Sequence, residues 1–146
     1  MNLIEKKVIV NASPHLIWSA LTDPTHTANW WGRGVVLEPK VDGEFLEPWT
    51  DDKFERRLAE GKVLSCVPGK KIEFTWHEDL WNDDLVTRVL IELREKDKNE
   101  TEIYLAHIGW EIFSEKVRET HLNSFEEGWK SVLSGLKEYV ENGSIL

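Results

Sequence analysis

A single cysteine, Cys66, among 146 residues excludes an internal disulfide and any thiolate metal cluster. It reads as a small apolar residue of the core rather than as a nucleophile. No run approaches the ~20 apolar residues that a membrane-spanning helix needs. Met1 to Lys7 lack the apolar stretch of a secretory leader, so a cytoplasmic location without membrane insertion is expected. Positive charge is also scarce: 18 Lys and Arg stand against 27 Asp and Glu, a net charge of −9. That field opposes nucleic-acid binding, which relies on basic side chains neutralising phosphates, and disfavours an anionic lipid surface. The doublets Lys6-Lys7, Arg56-Arg57 and Lys70-Lys71 are too short to reverse this and suit solvated strand edges.

Familiar catalytic signatures are missing too. There is no Gly-x-Ser-x-Gly elbow, no Gly-rich phosphate loop and, with Cys66 assigned to the core, no Cys–His pair. His77-Glu78-Asp79 looks like the start of a zinc-protease helix, but Trp81 stands where the second histidine would be. Together with Asp83-Asp84 it fits no calcium loop either, and reads as a solvated acidic turn. No metal and no cofactor is expected. Without repeats, low-complexity tracts or a Gly/Ser linker, residues 1–146 read as one domain.

Tryptophan, by contrast, is abundant. Trp18, Trp30, Trp31, Trp49, Trp76, Trp81, Trp110 and Trp129 make eight. Each brings a large apolar area and an N–H that wants a partner. Either some of them line a pocket for an apolar small molecule, or all of them fill a sheet–helix core. Both readings stand at this level.

Ile4 to Asn11 alternates as a first strand. Ser13-Pro14 is an N-cap followed by proline at the first helical position, which predicts a helix from Pro14 to about Thr22. Asp23-Pro24 stops it and starts a second short helix running to Trp30. From Gly34 to Ile108 the period changes to two. Strands are predicted at Val35–Leu37, Phe45–Trp49, Glu55–Val67, Lys71–His77, Leu85–Lys96 and Glu100–Ile108, with turns at Asp42-Gly43, Pro68-Gly69 and Lys98-Asn99. Short connections imply an antiparallel meander. Leu122, Phe125, Trp129, Val132, Leu133, Leu136 and Val140 then recur at helical spacing, giving a helix from about Glu115 to Asn142, closed by Gly143. Glu126, Glu127, Lys130, Lys137 and Glu138 fall on its polar side.

The order of these elements, with Asn11-Ala12-Ser13-Pro14, Ile17-Trp18, Leu21-Thr22-Asp23-Pro24, Trp30-Trp31-Gly32, Val41-Asp42-Gly43, Gly61 with Val63, and Gly128-Trp129 with Leu133 and Leu136, resembles the activators of heat-shock protein 90 ATPase. That family lies within the START, Bet v 1 and polyketide-cyclase-like superfamily. The resemblance covers nearly the whole chain. It implies an α+β helix-grip fold, a curved antiparallel sheet of six to seven strands around a long C-terminal helix, with two short helices after the first strand. For function it implies a range: carriers of lipids or flavonoids, aromatase/cyclases, or a chaperone-linked interaction module.

In such a fold, alternation selects the side chains aimed between sheet and helix. Phe45, Glu47 and Trp49 share one strand face, Phe74 and Trp76 another, Leu105 and His107 a third, and Phe125, Trp129 and Leu133 come from the helix. Trp30, Trp31 and Trp81 are expected at the rim, with packing of the small helices as the alternative for Trp30 and Trp31. Glu47 and His107 stand out as polar residues on an apolar face. A buried Glu47 needs a hydrogen-bond partner, a water or a ligand. His107 is either a satisfied core histidine or an orienting donor and weak acid/base. The leading expectation is binding of a hydrophobic or aromatic small molecule. The alternatives are a chaperone-interaction module and a cyclase-like enzyme using Glu47, His107 or both as proton-transfer groups, in a monomer or homodimer.

Overall fold

The computed structural model describes residues 3–143. Strand β1 (Ile4–Val10) buries both its apolar ends. Helix α1 (Pro14–Thr22) begins where the Ser13 hydroxyl oxygen accepts from the Leu16 N–H at 3.4 Å, with Pro14 in the first turn. Asp23 serves two helices. Its backbone N–H donates to the Ser19 carbonyl at the end of α1, and its carboxylate accepts from the Thr25 N–H at 2.9 Å to start α2 (Pro24–Trp30).

The meander follows as β2 (Val36–Leu37), β3 (Glu44–Thr50), β4 (Arg56–Val67), β5 (Lys71–Glu78), β6 (Thr87–Asp97) and β7 (Glu100–Ile108). All pairs are antiparallel, and the seven strands lie in the order β1-β7-β6-β5-β4-β3-β2. Register shifts between Val63 and Ser65 on β4, and between Glu95 and Asp97 on β6, interrupt the ladders. Such irregularities bend a sheet and raise its twist. Gly61 is required on β4, since a Cβ there would come within 1.8 Å of the Thr75 carbonyl oxygen on β5.

After β7 comes a 3-10 turn, Trp110–Ile112, for which three residues offer no readable period. Helix α3 (Glu115–Glu141) has 27 residues and is about 40 Å long. Gly143 closes it at φ +73°, in the left-handed region expected of it. The core lies between the sheet's inner face and α3. Ile72, Phe74 and Trp76, then Val89 and Ile91, then Ile103, Leu105 and His107 are buried at the predicted period of two, and Trp129, Leu133, Leu136 and Val140 meet them from α3. The predicted helix-grip architecture is thereby observed.

One expectation is extended and another requires correction. Glu126 and Lys137 lie on the polar side of α3 with their side chains partly exposed, and both also reach a neighbouring strand. Their long side chains bend back to β1, where Glu126 pairs with Lys6 and Lys137 Nζ donates to the Ile9 carbonyl at 2.7 Å. Cys66 is only half-buried, packed against the core from the side. Burial still pushes its thiol pKa up, which keeps it in the unreactive form. Among the described residues, no helix is long and apolar enough to cross a membrane.

Candidate functional site

The outer ends of β3 and β5 and the middle of α3 do not close on each other. They leave an open cleft of about 340 Å³. Glu47 and Trp49 enter it from β3, Trp76 and Glu78 from β5. His121, Phe125, Trp129 and Val132 recur at three- and four-residue steps along α3 and so share the helix face that looks down on the sheet. Ser124 and Gly128 complete that face, Gly128 leaving open space where a side chain would stand.

The apolar part of the cleft is aromatic and rigidly packed. Trp76 meets Trp129 at 5.5 Å between ring centroids and 65° between planes, and Phe125 at 5.7 Å and 81°. These near-perpendicular contacts set ring edges against ring faces. Trp76 in turn lies on Phe45 at 4.9 Å, and Phe45 on Phe74 at 4.6 Å.

The polar part is acidic. Glu47 pairs with Ala59 on β4, and Ala59 pairs with Glu78 on β5, so the two glutamates flank a buried alanine in one cross-strand row. Trp31 Nε1 donates to Glu47 Oε2 at 2.6 Å, and Trp76 Nε1 donates to Glu78 Oε2 at 3.1 Å. Loss of water pushes the Glu47 carboxyl up to about 7, against the lowering effect of the Trp31 bond and with a further push from Glu78. Glu78 is raised as well, again chiefly by desolvation. His121 is lowered by burial, which favours its neutral form.

His107 does not join them. It is fully buried, its ring 5.4 Å from Trp76 and 5.9 Å from Trp129. Trp129 Nε1, a donor only, gives its hydrogen to His107 Nδ1 at 2.9 Å. The ring proton must then sit on Nε2, which donates to Thr87 Oγ1 at 2.7 Å, while that hydroxyl donates on to the Trp76 carbonyl at 3.4 Å. Burial lowers the His107 pKa to about 3, so the imidazole is neutral. Both ring nitrogens are engaged, and His107 does not share the cleft with Glu47, so a mechanism drawing on both side chains together finds no common site here.

Of the cavity residues selected by alternation, Glu47, Trp49, Trp76, Phe125 and Trp129 come together in the cleft. Phe45, Phe74, Leu105, His107 and Leu133 share their faces but lie deeper, in the packed interior. Period selects a side of the strand, whereas depth depends on position along it. At the supposed rim, Trp30 donates to the Ala20 carbonyl at 2.8 Å and packs on α3 beside Gly135. Trp31 bridges α2 to Glu47 and to Phe45, and Trp81 is buried against Phe113 at 4.9 Å. Trp30 and Trp81 thus pack against neighbouring elements, while Trp31 borders the cleft through Glu47 and Trp129. Glu78 and His121 escaped the sequence reading, although Phe74-Trp76-Glu78 keeps the period of two and His121 stands one turn before Phe125.

The family model described as "Activator of Hsp90 ATPase homolog 1-like protein" matches residues 11–141. No curated protein matches the chain. Among solved structures, protein MLL2253 from Mesorhizobium loti superposes with a TM-score of 0.77 at 19% identity, covering 96% of this chain and 97% of that one. The Aha1 dimer from Colwellia psychrerythraea gives 0.74 at 20% identity, with 97% of each chain covered. DynU16, from the dynemicin biosynthetic locus, gives 0.77 at 17% identity over 98% of this chain, which spans only 48% of DynU16. Likeness at these identities is likeness of fold.

Proposed function

The chain belongs to the activator of Hsp90 ATPase homolog 1-like family, and we propose that it binds a hydrophobic or aromatic small molecule in the cleft between sheet and α3. One observation carries this reading: a cleft of about 340 Å³ walled by Trp76, Phe125 and Trp129 and edged by a few polar groups. That combination of volume, aromatic lining and sparse polar atoms is the usual make-up of a small-molecule site. The fold shared with relatives of this architecture supports a ligand-binding domain in general.

Native mass spectrometry of freshly purified protein, followed by tryptophan fluorescence against neutral flavonoids, polyketides and fatty acids, tests it. A retained molecule, or quenching with a rise in Tm, is expected. Ligand at 100-fold its Kd stabilises the fold by roughly 2.7 kcal/mol. A protein that carries nothing and shifts with nothing in such a panel does not have this role.

A second reading, interaction with a chaperone, draws on the family's description. It calls for a contiguous exposed surface outside the cleft. Phe54 and Leu80, 90% and 68% exposed, project from separate connections, β3–β4 and β5–β6. Capture of Hsp90 with stimulation of its ATPase supports this reading, and a null result in both assays removes it. The Colwellia relative is described as a dimer. Gel filtration with light scattering decides whether this chain also pairs.

A further inference from the structure

The apolar walls of the cleft would suit almost any aromatic body, but they do not account for the acidic groups beside them. Glu47 and Glu78 face the same opening, and among the described residues no Lys or Arg lines it. Among the described residues, no ion pair involves either carboxylate. Among the described residues, each carboxylate accepts a single hydrogen bond, from the indole N–H of Trp31 or Trp76, and each does so through Oε2. Ala59, placed between them in the cross-strand row, is too small to fill the gap. Two like charges half-withdrawn from water and set on one row repel each other; Glu78 is further opposed by Asp79, and the basic group acting on it is the imidazole of His77 rather than a Lys or Arg.

We propose that the cleft selects a small organic cation, a protonated or quaternary amine on an aromatic or alkyl body, with its charge between Glu47 and Glu78 and its apolar part against Trp76, Phe125 and Trp129. This rests on the small-molecule reading given above and deepens it. Indole and phenyl faces attract cations as well as apolar groups, most strongly where water is excluded. The net charge of −9 draws cations toward the surface in general. A metal ion is a poorer occupant, because among the described residues no three His, Cys, Asp or Glu side chains are grouped to hold one.

Phenyltrimethylammonium and tert-butylbenzene form a matched pair for the test, since they have nearly the same shape and differ by one charge. Tryptophan fluorescence and calorimetry on the intact chain should show the cation binding about tenfold more tightly. In the Glu47→Gln/Glu78→Gln variant, which keeps an acceptor for both indole N–H groups, that preference should fall to near parity. Tert-butylbenzene binding should meanwhile change less than about twofold.

Calorimetry on the wild-type chain adds a readout independent of any substitution. Phenyltrimethylammonium has no proton to lose, so protons released at pH 7 come from the protein. The titratable groups facing Glu47 are Glu78 on β5 and His121 on α3, with Trp31 on α2 supplying only its N–H. A net proton release on binding, read from two buffers of different ionisation enthalpy, is expected as the carboxylates ionise. Equal affinity for the two probes, unchanged in the double variant and without proton release, overturns the cation assignment and leaves the cleft a neutral-ligand site. Failure of both probes to bind overturns the small-molecule reading itself.

Discussion

Trp129 and His107 meet at 2.9 Å, indole N–H to imidazole Nδ1, and this one bond ties the terminal helix to the last strand across the core. Removing the imidazole leaves a buried indole N–H and the Thr87 hydroxyl without their partner, and a cavity behind Trp76. His107→Ala should therefore lose about 3–4 kcal/mol in urea denaturation. A loss below about 1 kcal/mol would show that the helix and strand are held by other means.

The same histidine makes the fold acid-sensitive. Its folded pKa, about 3, lies below the 6.5 of an unfolded chain. Between those values only the unfolded state takes up the proton, so stability present above pH 6.5 is lost as pH falls toward 3. Between pH 6.5 and 4.5 that loss amounts to roughly 2–3 kcal/mol. His107→Ala should abolish this component, and a variant that keeps the full acid slope rules out His107 as its source.

Glu47 acts with the opposite sign. Its folded pKa of about 7 lies above the 4.5 of an unfolded chain, so its contribution is complete below pH 4.5 and is lost as pH rises through 7. Glu47→Gln, uncharged throughout, should match the wild type at pH 4.5. At pH 8 it should exceed the wild type by about 1–2 kcal/mol, after allowance for the solvent contact this side chain keeps. Thermal melts at the two pH values compare them directly, and a variant no more stable at pH 8 contradicts the desolvated carboxylate.

Two glycines should respond in opposite ways to the same change. Gly61→Ala drives a methyl into the Thr75 carbonyl, a backbone group that cannot swing aside as a side chain could, and should cost about 3 kcal/mol or prevent folding. Gly128→Ala meets nothing within 4 Å and lies inside α3, where alanine is the better helix former by about 0.5–1 kcal/mol. It should raise Tm while narrowing the cleft it lines, so stability should increase as ligand affinity decreases. Equal effects of the two substitutions on stability would contradict the packing described.

Most of the architecture was legible because long periodic segments and their stops carry local physics. Ser13-Pro14, Asp23-Pro24 and Gly143 bound helices where their chemistry says they must. The site was legible only in part. Glu78 belongs to the Phe74-Trp76 face, but neighbouring Asp79, Asp83 and Asp84 made it look like the start of a solvated loop. The depth that separates Phe74 from Trp76, or Leu105 from the cleft, follows from strand curvature and from how α3 crosses the sheet. Both are tertiary properties with no trace in alternation. The bond between Trp31 and Glu47, which joins residues sixteen positions apart, was equally out of reach.

At the far end of α3, Lys137 holds the Ile9 carbonyl and Glu141 accepts from the Asn11 N–H, both at the margin of β1. A border strand ordinarily offers such groups to any extended peptide that drifts past. Here the helix has already claimed them, while the opposite margin, β2, is only two residues long. Each feature shortens, at one side of the sheet, the stretch of free border along which a further strand could pair.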